Sequence, residues 1–424
     1  MSGIQRSIPP TLYDSAIIGA ITPDATLNEL AQLLIALGRA LHEVGQPAHK
    51  VERTLVLVAE RFNVPLQILV MPTGHFLSIL RDEGPLTFVL RMKPGAVDLD
   101  RLSRLMAIAD GLIGGTLTPF AAKAKIDKTM ELSAERNSWA IVAAYALSAA
   151  PFSIFFGGGW QELLVSTCVG LVVGMIAALM KRRRRNGNSF ELIAAAAAAL
   201  IAGSADELLG GYGGWIPLAA GLVVLLPGIA LVDALEELAS GQLTAGASRL
   251  AGVGVVFLAL TFGSVIGYAI ADLLPAIADR KALHVPEWFI APALVAVAFG
   301  SMLRFRAALR DWWVILAASG LALIGSRLGK QYAGDLAGPF LAAALLAVGG
   351  QLYARFSRRA AELVIVPGIA LLVPGSVGYQ SLEAFLSQET THGVDTAFQM
   401  FLIGIALVAG LLFGNAAVGE RQHA

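Results

Sequence analysis

Acidic side chains follow a proline–glycine pair that interrupts an apolar run, and this arrangement suits proton exchange. The pair is Pro227-Gly228, and Asp233, Glu236 and Glu237 come shortly after it. Proline and glycine weaken a helix, and in a lipid bilayer the freed backbone groups need partners in the protein or in a water-filled cavity. A carboxylate in such a cavity has a raised proton affinity and titrates closer to neutral pH. These residues predict a site where protons and a solute are exchanged.

A second proline–glycine pair makes this arrangement an internal repeat. The segment 225–238 aligns at a constant offset with the segment 372–385, which holds Pro374-Gly375. Glu383 is then the counterpart of Glu236. Two helix breaks at matching places indicate a binding site. The alternative is that both pairs are only kinks or ends of helices.

Charges near other apolar runs extend the set of candidates, because a charge that faces lipid is costly and usually marks a pathway or a proton relay. The alternative for each acidic residue is an interfacial position in water.

The repeat also has a competing register that covers fewer positions, because the string Pro-Gly-Ile-Ala-Leu occurs at both 227–231 and 367–371. The candidates for the substrate and proton pathway are Asp206, Glu207, Pro227, Gly228, Asp233, Glu236, Glu237, Asp272, Pro367, Gly368, Pro374, Gly375, Ser376, Tyr379 and Glu383.

The composition places these residues in a membrane. Of 424 residues, 56% are hydrophobic and 15% are charged, whereas a soluble domain carries roughly 25% charged residues. Lys plus Arg and Asp plus Glu are equal at 31 each, so no net charge points to a nucleic-acid partner. From Trp139 onward, about ten runs are apolar over the length that a lipid bilayer requires. These spans are 139–157, 160–180, 190–208, 213–232, 250–274, 287–303, 311–327, 333–353, 361–377 and 397–418.

A small domain with an aqueous surface precedes the spans, over residues 24–137, where charges recur every few residues. Helical patterns end at Gly45 and begin again near Pro47, and two further helices are predicted at 99–112 and 119–132. Three strands are predicted between these helices. Their ranges are Leu66–Met71, Phe76–Arg81 and Leu86–Met92. The sequence therefore predicts a compact α+β unit.

Basic residues cluster in alternate loops, which fixes the expected orientation. The clusters are Lys181–Arg185, the arginines between 304 and 310, and those between 355 and 359. Positive loops lie in the cytoplasm, so the N-terminal domain and the C-terminus are both expected inside. Five spans in each half is an odd number, so the two repeats cross the membrane in opposite directions. The predicted fold is a mainly α polytopic membrane protein with an inverted five-plus-five repeat, whose modules cover 138–275 and 286–418.

Several short motifs occur in a fixed order along nearly the whole chain. They are Gly45–Thr54, Phe62-Asn63-Val64, Met71-Pro72-Thr73, Leu225–Gly228 with Glu237, Gly241, Gly246 and Arg249, and Leu372–Ser376. In this order they resemble the threonine/serine exporter family. Gln46-Pro47-Ala48 departs from the family, which often has small or acidic residues and an aromatic residue there.

This resemblance implies a bacterial inner-membrane exporter of threonine and serine, driven by the proton gradient. Relatives whose modules are separate chains have been linked to dicarboxylate export, so a substrate such as succinate is the alternative. For an amino acid, a half-helix N-terminus would favour the carboxylate, while Ser376, Tyr379 or a carboxylate would take the ammonium. The sequence leaves open whether the chain forms a homo-oligomer.

Other chemistries find little support in the sequence. His42, Glu43, His49 and Glu52 lack the helical spacing of a zinc site because Gly45 and Pro47 intervene, and we interpret them as a solvated helix junction. No phosphate-binding loop or serine-hydrolase motif is readable, so neither a cofactor nor a metal is predicted and the chain is not expected to be an enzyme. The alternative from another class is a membrane-anchored enzyme or sensor that acts through its N-terminal domain, but ten spans exceed what an anchor requires.

Overall fold

The computed structural model describes residues 23–82, 84–93, 95–131, 138–182, 189–209, 215–275, 285–357, 359–372, 375–386 and 389–419. Within these residues the chain is mainly helical and holds one small sheet. An N-terminal domain (residues 23–131) comes first, and two sets of six helices follow it.

The N-terminal domain packs four helices with a three-stranded antiparallel sheet in the order β1-β2-β3. Its elements are α1 (Pro23–Glu43), α2 (Ala48–Arg61), β1 (Leu66–Met71), β2 (Gly74–Ile79), β3 (Leu86–Arg91), α3 (Leu99–Ile113) and α4 (Pro119–Glu131). The predicted α+β organisation is confirmed. The second strand begins and ends two residues earlier than predicted, because only Pro72 and Thr73 separate the paired residues Met71 and Gly74.

The core of this domain follows the helical period of the sequence. Leu34, Leu37 and Leu41 of α1 are buried against Val51 and Leu55 of α2, together with residues of the sheet and of α3. The same hydrophobic cluster also includes buried residues from the membrane helices. These are Ala245, Phe305, Leu363 and Ala370. The domain therefore shares its core with the membrane part.

The first set of membrane helices is α5 (Ser138–Phe155), α6 (Trp160–Arg182), α7 (Phe190–Leu209), α8 (Trp215–Leu222), α9 (Gly228–Ala239) and α10 (Leu243–Ala271). The second set is α11 (Ile290–Arg304), α12 (Trp312–Ala333), α13 (Ala337–Ser357), α14 (Glu362–Leu372), α15 (Gly375–Leu386) and α16 (Thr390–Val418).

Eight segments of the described chain are long and apolar enough to cross a membrane, compared with ten predicted spans. They include α5, α6, α10, α11, α12, α13 and α16, and one segment runs from α14 into α15. The remaining two predictions are 190–208 and 213–232. The first is α7, which carries Glu191, Asp206 and Glu207, and the second is divided into α8 and α9, each too short to cross alone.

The element bounds follow the longer of the two repeat registers. Gly228 begins α9 and Gly375 begins α15, and both helices have 12 residues. Pro367, which the competing register would match to Pro227, lies inside α14. Pro374 lies outside the described residues.

Glycines allow one close helix pair in each set. Gly263 and Gly267 of α10 face the backbone of α7, and Gly410 and Gly414 of α16 face the backbone of α13. A Cβ atom at Gly267 would overlap the carbonyl oxygen of Ala196. The G-x-x-x-G spacing thus produces the close helix contact that is typical of membrane proteins.

The two short helices α9 and α15 each pack against the other set of membrane helices. Val232 of α9 belongs to the hydrophobic cluster of the second set, with Leu407 and Leu411 of α16. Tyr379 of α15 belongs to the cluster of the first set, with Leu260 of α10. Each set of helices therefore contributes one short helix to the core of the other.

Candidate functional site

The acidic segment of α9 meets the N-terminal domain rather than open solvent. The backbone N–H of Ala48 donates to Oε1 of Glu237 over 3.0 Å. Arg249 of α10 donates to both oxygens of the same carboxylate, from Nε over 3.0 Å and from Nη2 over 2.7 Å. Glu237 is fully buried. A buried carboxylate needs this pairing, because removal of its partner would leave an uncompensated charge.

Glu237 also caps a helix of the other domain. The first N–H groups of a helix have no partner within the helix and form a positively polarised end. Pro47 precedes α2 and provides no side-chain cap, and the carboxylate of Glu237 accepts a hydrogen bond at this end instead. The membrane helix α9 thus completes the first turn of α2.

Two further side chains of α2 fix the same contact. Nε2 of His49 lies 3.4 Å from Oε1 of Glu236. The carboxylate of Glu52 accepts hydrogen bonds from the side chain of Gln242 and from the backbone N–H of Val70, the latter over 2.7 Å. Burial raises the pKa of the Glu52 carboxyl, and these hydrogen bonds oppose the rise.

A small cavity of about 40 Å³ lies where α9, α14 and the start of α2 meet. Its charged lining consists of Lys50, Asp233, Glu236 and Glu362. Nζ of Lys50 lies 3.5 Å from Oε1 of Glu362. Burial disfavours the charge of Lys50, but Glu236, Glu362 and Asp233 outweigh this effect, so the pKa of the Lys50 ammonium is raised. Lys50 is therefore a permanent cation among three carboxylates.

Two members of the cavity region retain unused hydrogen-bonding capacity. Oε1 of Gln46 is buried without a hydrogen-bond partner among the described residues, and Gln46 lines the cavity. Among the described residues, no hydrogen bond or ion pair reaches the carboxylate of Asp233. A buried polar atom without a partner is costly, so the Gln46 oxygen is suited to accept a hydrogen bond from a ligand, and the half-buried carboxylate of Asp233 lies in the same lining.

The N-terminal domain also contacts the second set of membrane helices. Oδ2 of Asp98 lies 3.3 Å from Nη1 of Arg306, and the backbone N–H of Leu99 donates to the carbonyl of Phe305 over 2.8 Å. The contacts of Ala48 and His49 with α9 are to the first set, so the domain contacts both sets. The domain therefore bridges the two halves of the membrane part at the cavity.

An arginine donates a hydrogen bond to a backbone carbonyl in the break between α8 and α9. Nη2 of Arg304, at the end of α11, donates to the carbonyl of Val224 over 2.8 Å. Val224 lies in the non-helical segment that separates Leu222 from Gly228. The broken span is thus held by protein, as a membrane environment requires.

The structure gathers only some of the predicted site residues. Asp233 and Glu236 line the cavity and Glu237 lies beside it. Three other candidates lie far from the cavity, at the C-terminal ends of two parallel helices: Asp206 and Glu207 in α7, and Asp272 directly after α10. Arg249, which pairs with Glu237, lies at the N-terminal end of α10. The remaining predicted residues are not placed in the cavity lining: Pro227 and Gly228 start α9, Pro367 and Gly368 lie in α14, and Gly375, Ser376 and Tyr379 lie in α15. The side chain of Glu383 is outside the described residues.

Sequence reasoning missed the part of the site that comes from the N-terminal domain. The interpretation as a solvated junction fits Glu43, which is exposed. It is wrong for the other three residues, because His42 is buried and both His49 and Glu52 face the membrane helices. Nε2 of His42 donates to the carbonyl of Pro72 over 3.0 Å, and Nδ1 lies 3.2 Å from Nε2 of His75. The available signal was the unusual density of polar residues around Pro47.

Comparison with known proteins agrees with this architecture. A threonine/serine exporter family model, ThrE, matches residues 32–271, and a second, "Threonine/Serine exporter, ThrE", matches residues 288–417. The chain belongs to the threonine/serine exporter family. These matches cover most of the N-terminal domain and both sets of membrane helices, and the family is one of membrane transporters.

Relatives of this exporter family member occur in bacteria and fungi. A threonine/serine exporter of Corynebacterium glutamicum is 23% identical and covers 75% of this chain and 67% of its own length. An uncharacterised protein of Schizosaccharomyces pombe is 23% identical over 87% of this chain, and a pheromone-regulated membrane protein 10 of Zygosaccharomyces rouxii is 22% identical over 93%. The chain spans 45% and 43% of those two fungal proteins. No solved structure matches the chain.

Proposed function

We propose that the chain is a secondary transporter that exports small polar amino acids such as threonine and serine in exchange for protons. The observation that carries this proposal is the cavity between α9 and α14, where Asp233 has no hydrogen-bond partner among the described residues. The cavity lies beside a broken span. The chain belongs to a family of threonine/serine exporters. Broken helices with an ionisable residue are the usual construction of a secondary-transport site.

We further propose ten membrane crossings in an inverted repeat, with α7 as the third and the α8–α9 pair as the fourth. Three connections of the membrane part contact the N-terminal domain, at Gln242, at Phe305 and at Glu362. In a ten-span arrangement these connections are separated by even numbers of spans and lie on one side. The basic clusters share that side, which supports a cytoplasmic N-terminal domain and C-terminus in a bacterial inner membrane.

Proton exchange is assigned to Asp233. The charges of Arg249, Glu236, Lys50 and Glu237 surround it, so its protonation changes the charge balance of the cavity directly. A proton on Asp233 leaves the Lys50 cation with fewer carboxylates to pair with. Binding of a substrate ammonium and of a proton at this position would then exclude each other, which is the requirement for antiport.

Transport into inside-out vesicles tests this proposal. Vesicles that contain the full chain should take up labelled threonine or serine when their interior is acidic, and they should take up little labelled succinate. Collapse of the pH gradient with a protonophore should reduce the uptake to the level of vesicles without the protein. Uptake of succinate in preference to threonine, or threonine uptake that ignores the gradient, would contradict the proposal.

A further inference from the structure

We propose that Gln46 and Lys50 of the N-terminal domain complete the substrate site and make it specific for an α-amino acid in its zwitterionic form. In this site the ammonium of the substrate binds Asp233, Glu236 and the side-chain oxygen of Gln46. The carboxylate of the substrate binds the ammonium of Lys50. This inference rests on the proposed function and adds residues and a selection principle to it.

The cavity geometry brings these groups together. Gln46 and Lys50 flank the start of α2, and both line the cavity that Asp233, Glu236 and Glu362 line from the membrane helices. The position of α2 is fixed by the hydrogen bond between Ala48 and Glu237. The two residues therefore approach the membrane carboxylates from a defined direction.

Gln46 provides an acceptor that points to a ligand. Gln46 is 4% exposed, and its Oε1 is buried without a hydrogen-bond partner in the part of the chain that the structure describes. An amide oxygen can accept from an ammonium group but cannot donate to a carboxylate. The cost of this unsatisfied oxygen is offset when a substrate ammonium donates to it.

The charge of the cavity selects a zwitterion. Three carboxylates, Asp233, Glu236 and Glu362, face one permanent cation, Lys50, with His49 beside Glu236. A zwitterion adds no net charge and offers one partner to each sign. A dicarboxylate adds two negative charges to a lining that is already rich in carboxylates, and repulsion disfavours it.

The size of the cavity indicates that binding requires movement. A volume of about 40 Å³ holds one or two water molecules and no amino acid. The contact between Lys50 and Glu362 is long, at 3.5 Å, and the lysine side chain has a flexible stem. An amino acid therefore enters when the start of α2 moves away from α14 and Lys50 exchanges Glu362 for the substrate carboxylate.

Ligand analogues separate the two subsites in binding experiments on the purified full chain in detergent. Threonine carries both charges, threonine methyl ester carries only the ammonium, and N-acetylthreonine and succinate carry only carboxylates. By calorimetry, the parent protein should bind threonine more tightly than the ester and should not bind the other two. Lys50→Met should weaken threonine binding by at least about tenfold, as expected for a lost charged hydrogen bond, and should leave ester binding nearly unchanged.

Two further variants keep the test decisive if Lys50→Met fails to fold. Lys50→Arg retains the charge and should retain threonine binding, while Gln46→Leu should weaken threonine and the ester alike, by about three- to tenfold. Lys330→Met is the matched control, because Lys330 is exposed and pairs with the exposed Asp335. It should bind threonine like the parent.

The outcomes distinguish this inference from the proposed function. Unchanged threonine affinity in both Lys50→Met and Gln46→Leu, or tight binding of N-acetylthreonine, would overturn the inference while threonine export by the parent still stood. A parent protein that neither binds nor exports threonine would overturn the proposed function, and the inference with it.

Discussion

The backbone N–H of Ala48 donates to the carboxylate of Glu237 although 189 residues separate them in the chain. This hydrogen bond joins the first turn of an N-terminal helix to a short helix of the membrane part. Arg249 pairs with the same carboxylate, so the junction is a buried and fully paired ionic contact. The N-terminal domain is consequently part of the wall of the candidate site.

Loss of Arg249 should destabilise this junction strongly. Arg249→Leu leaves the buried charge of Glu237 unpaired, which should lower the free energy of unfolding by about 3–5 kcal/mol. The loss should appear as a lower melting temperature of the purified full chain in detergent. Arg104→Leu is the control, because Arg104 pairs with Asp100 at the surface and should cost less than about 1 kcal/mol. Equal effects of the two variants would contradict the structural role of Glu237.

The close helix pairs should tolerate no added methyl group. Gly267→Ala places a Cβ against the carbonyl of Ala196, and the resulting overpacking should cost about 1–3 kcal/mol. Gly254 lies in the same helix with open space around its Cβ position. Gly254→Ala should therefore be neutral or stabilise by about 0.5–1 kcal/mol. Thermal unfolding of both variants checks the difference, and a melting temperature for Gly267→Ala at or above the parent value would show that α7 and α10 are further apart.

The local elements of the fold could be predicted from the sequence because their signals are local. Apolar periodicity and turn residues located α1 to α4 and the three strands to within about two residues. The repeated segment predicted helix breaks at the two proline–glycine pairs, and helices begin at Gly228 and Gly375. It also showed that Asp233 and Glu236 belong to a broken span.

The partners of these carboxylates could not be predicted in the same way. Lys50 and Glu362 are 312 residues apart, and no periodic pattern specifies such a contact. The sequence also places Asp206 and Asp272 among the candidates, behind Asp233, because they too lie near apolar runs. Only the packing of α7 along α10 separates them from the cavity.

Acid should destabilise the protein through a buried histidine pair. Burial, together with the charge of His42, lowers the pKa of His75 from 6.5 to about 4. Below pH 6.5 the unfolded chain therefore binds a proton at this residue and the folded chain does not. The free energy of unfolding is highest above pH 6.5 and falls as the pH drops toward 4. His75→Gln keeps a donor for His42 and should flatten this dependence.

Melting temperatures of the full chain between pH 7.5 and pH 4.5 check the histidine prediction. His392 is exposed on α16, so His392→Gln should keep the parent pH dependence. A parent profile that is flat in this range, or an identical slope in His75→Gln, would show that the pair contributes nothing to acid sensitivity.

The proposed topology places Thr390 outside and Ser189 inside the cell. Cys168 is the only native thiol, so single cysteines can be introduced after its replacement by serine. Both positions are exposed. An impermeant maleimide should label Thr390→Cys in intact cells and Ser189→Cys only after permeabilisation. Labelling of Ser189→Cys in intact cells would contradict the proposed topology.

Threonine flux in proteoliposomes tests whether Asp233 exchanges a proton for each exported amino acid. Asp233→Asn keeps the size of the side chain and removes the titratable proton, while Asp335→Asn alters an exposed acidic residue and is the control. The parent and Asp335→Asn should accumulate labelled threonine under a pH gradient. Asp233→Asn should lose this accumulation yet still exchange labelled for unlabelled threonine when no gradient is present. Accumulation by Asp233→Asn that follows the pH gradient as in the parent would contradict the assignment of proton coupling to this residue.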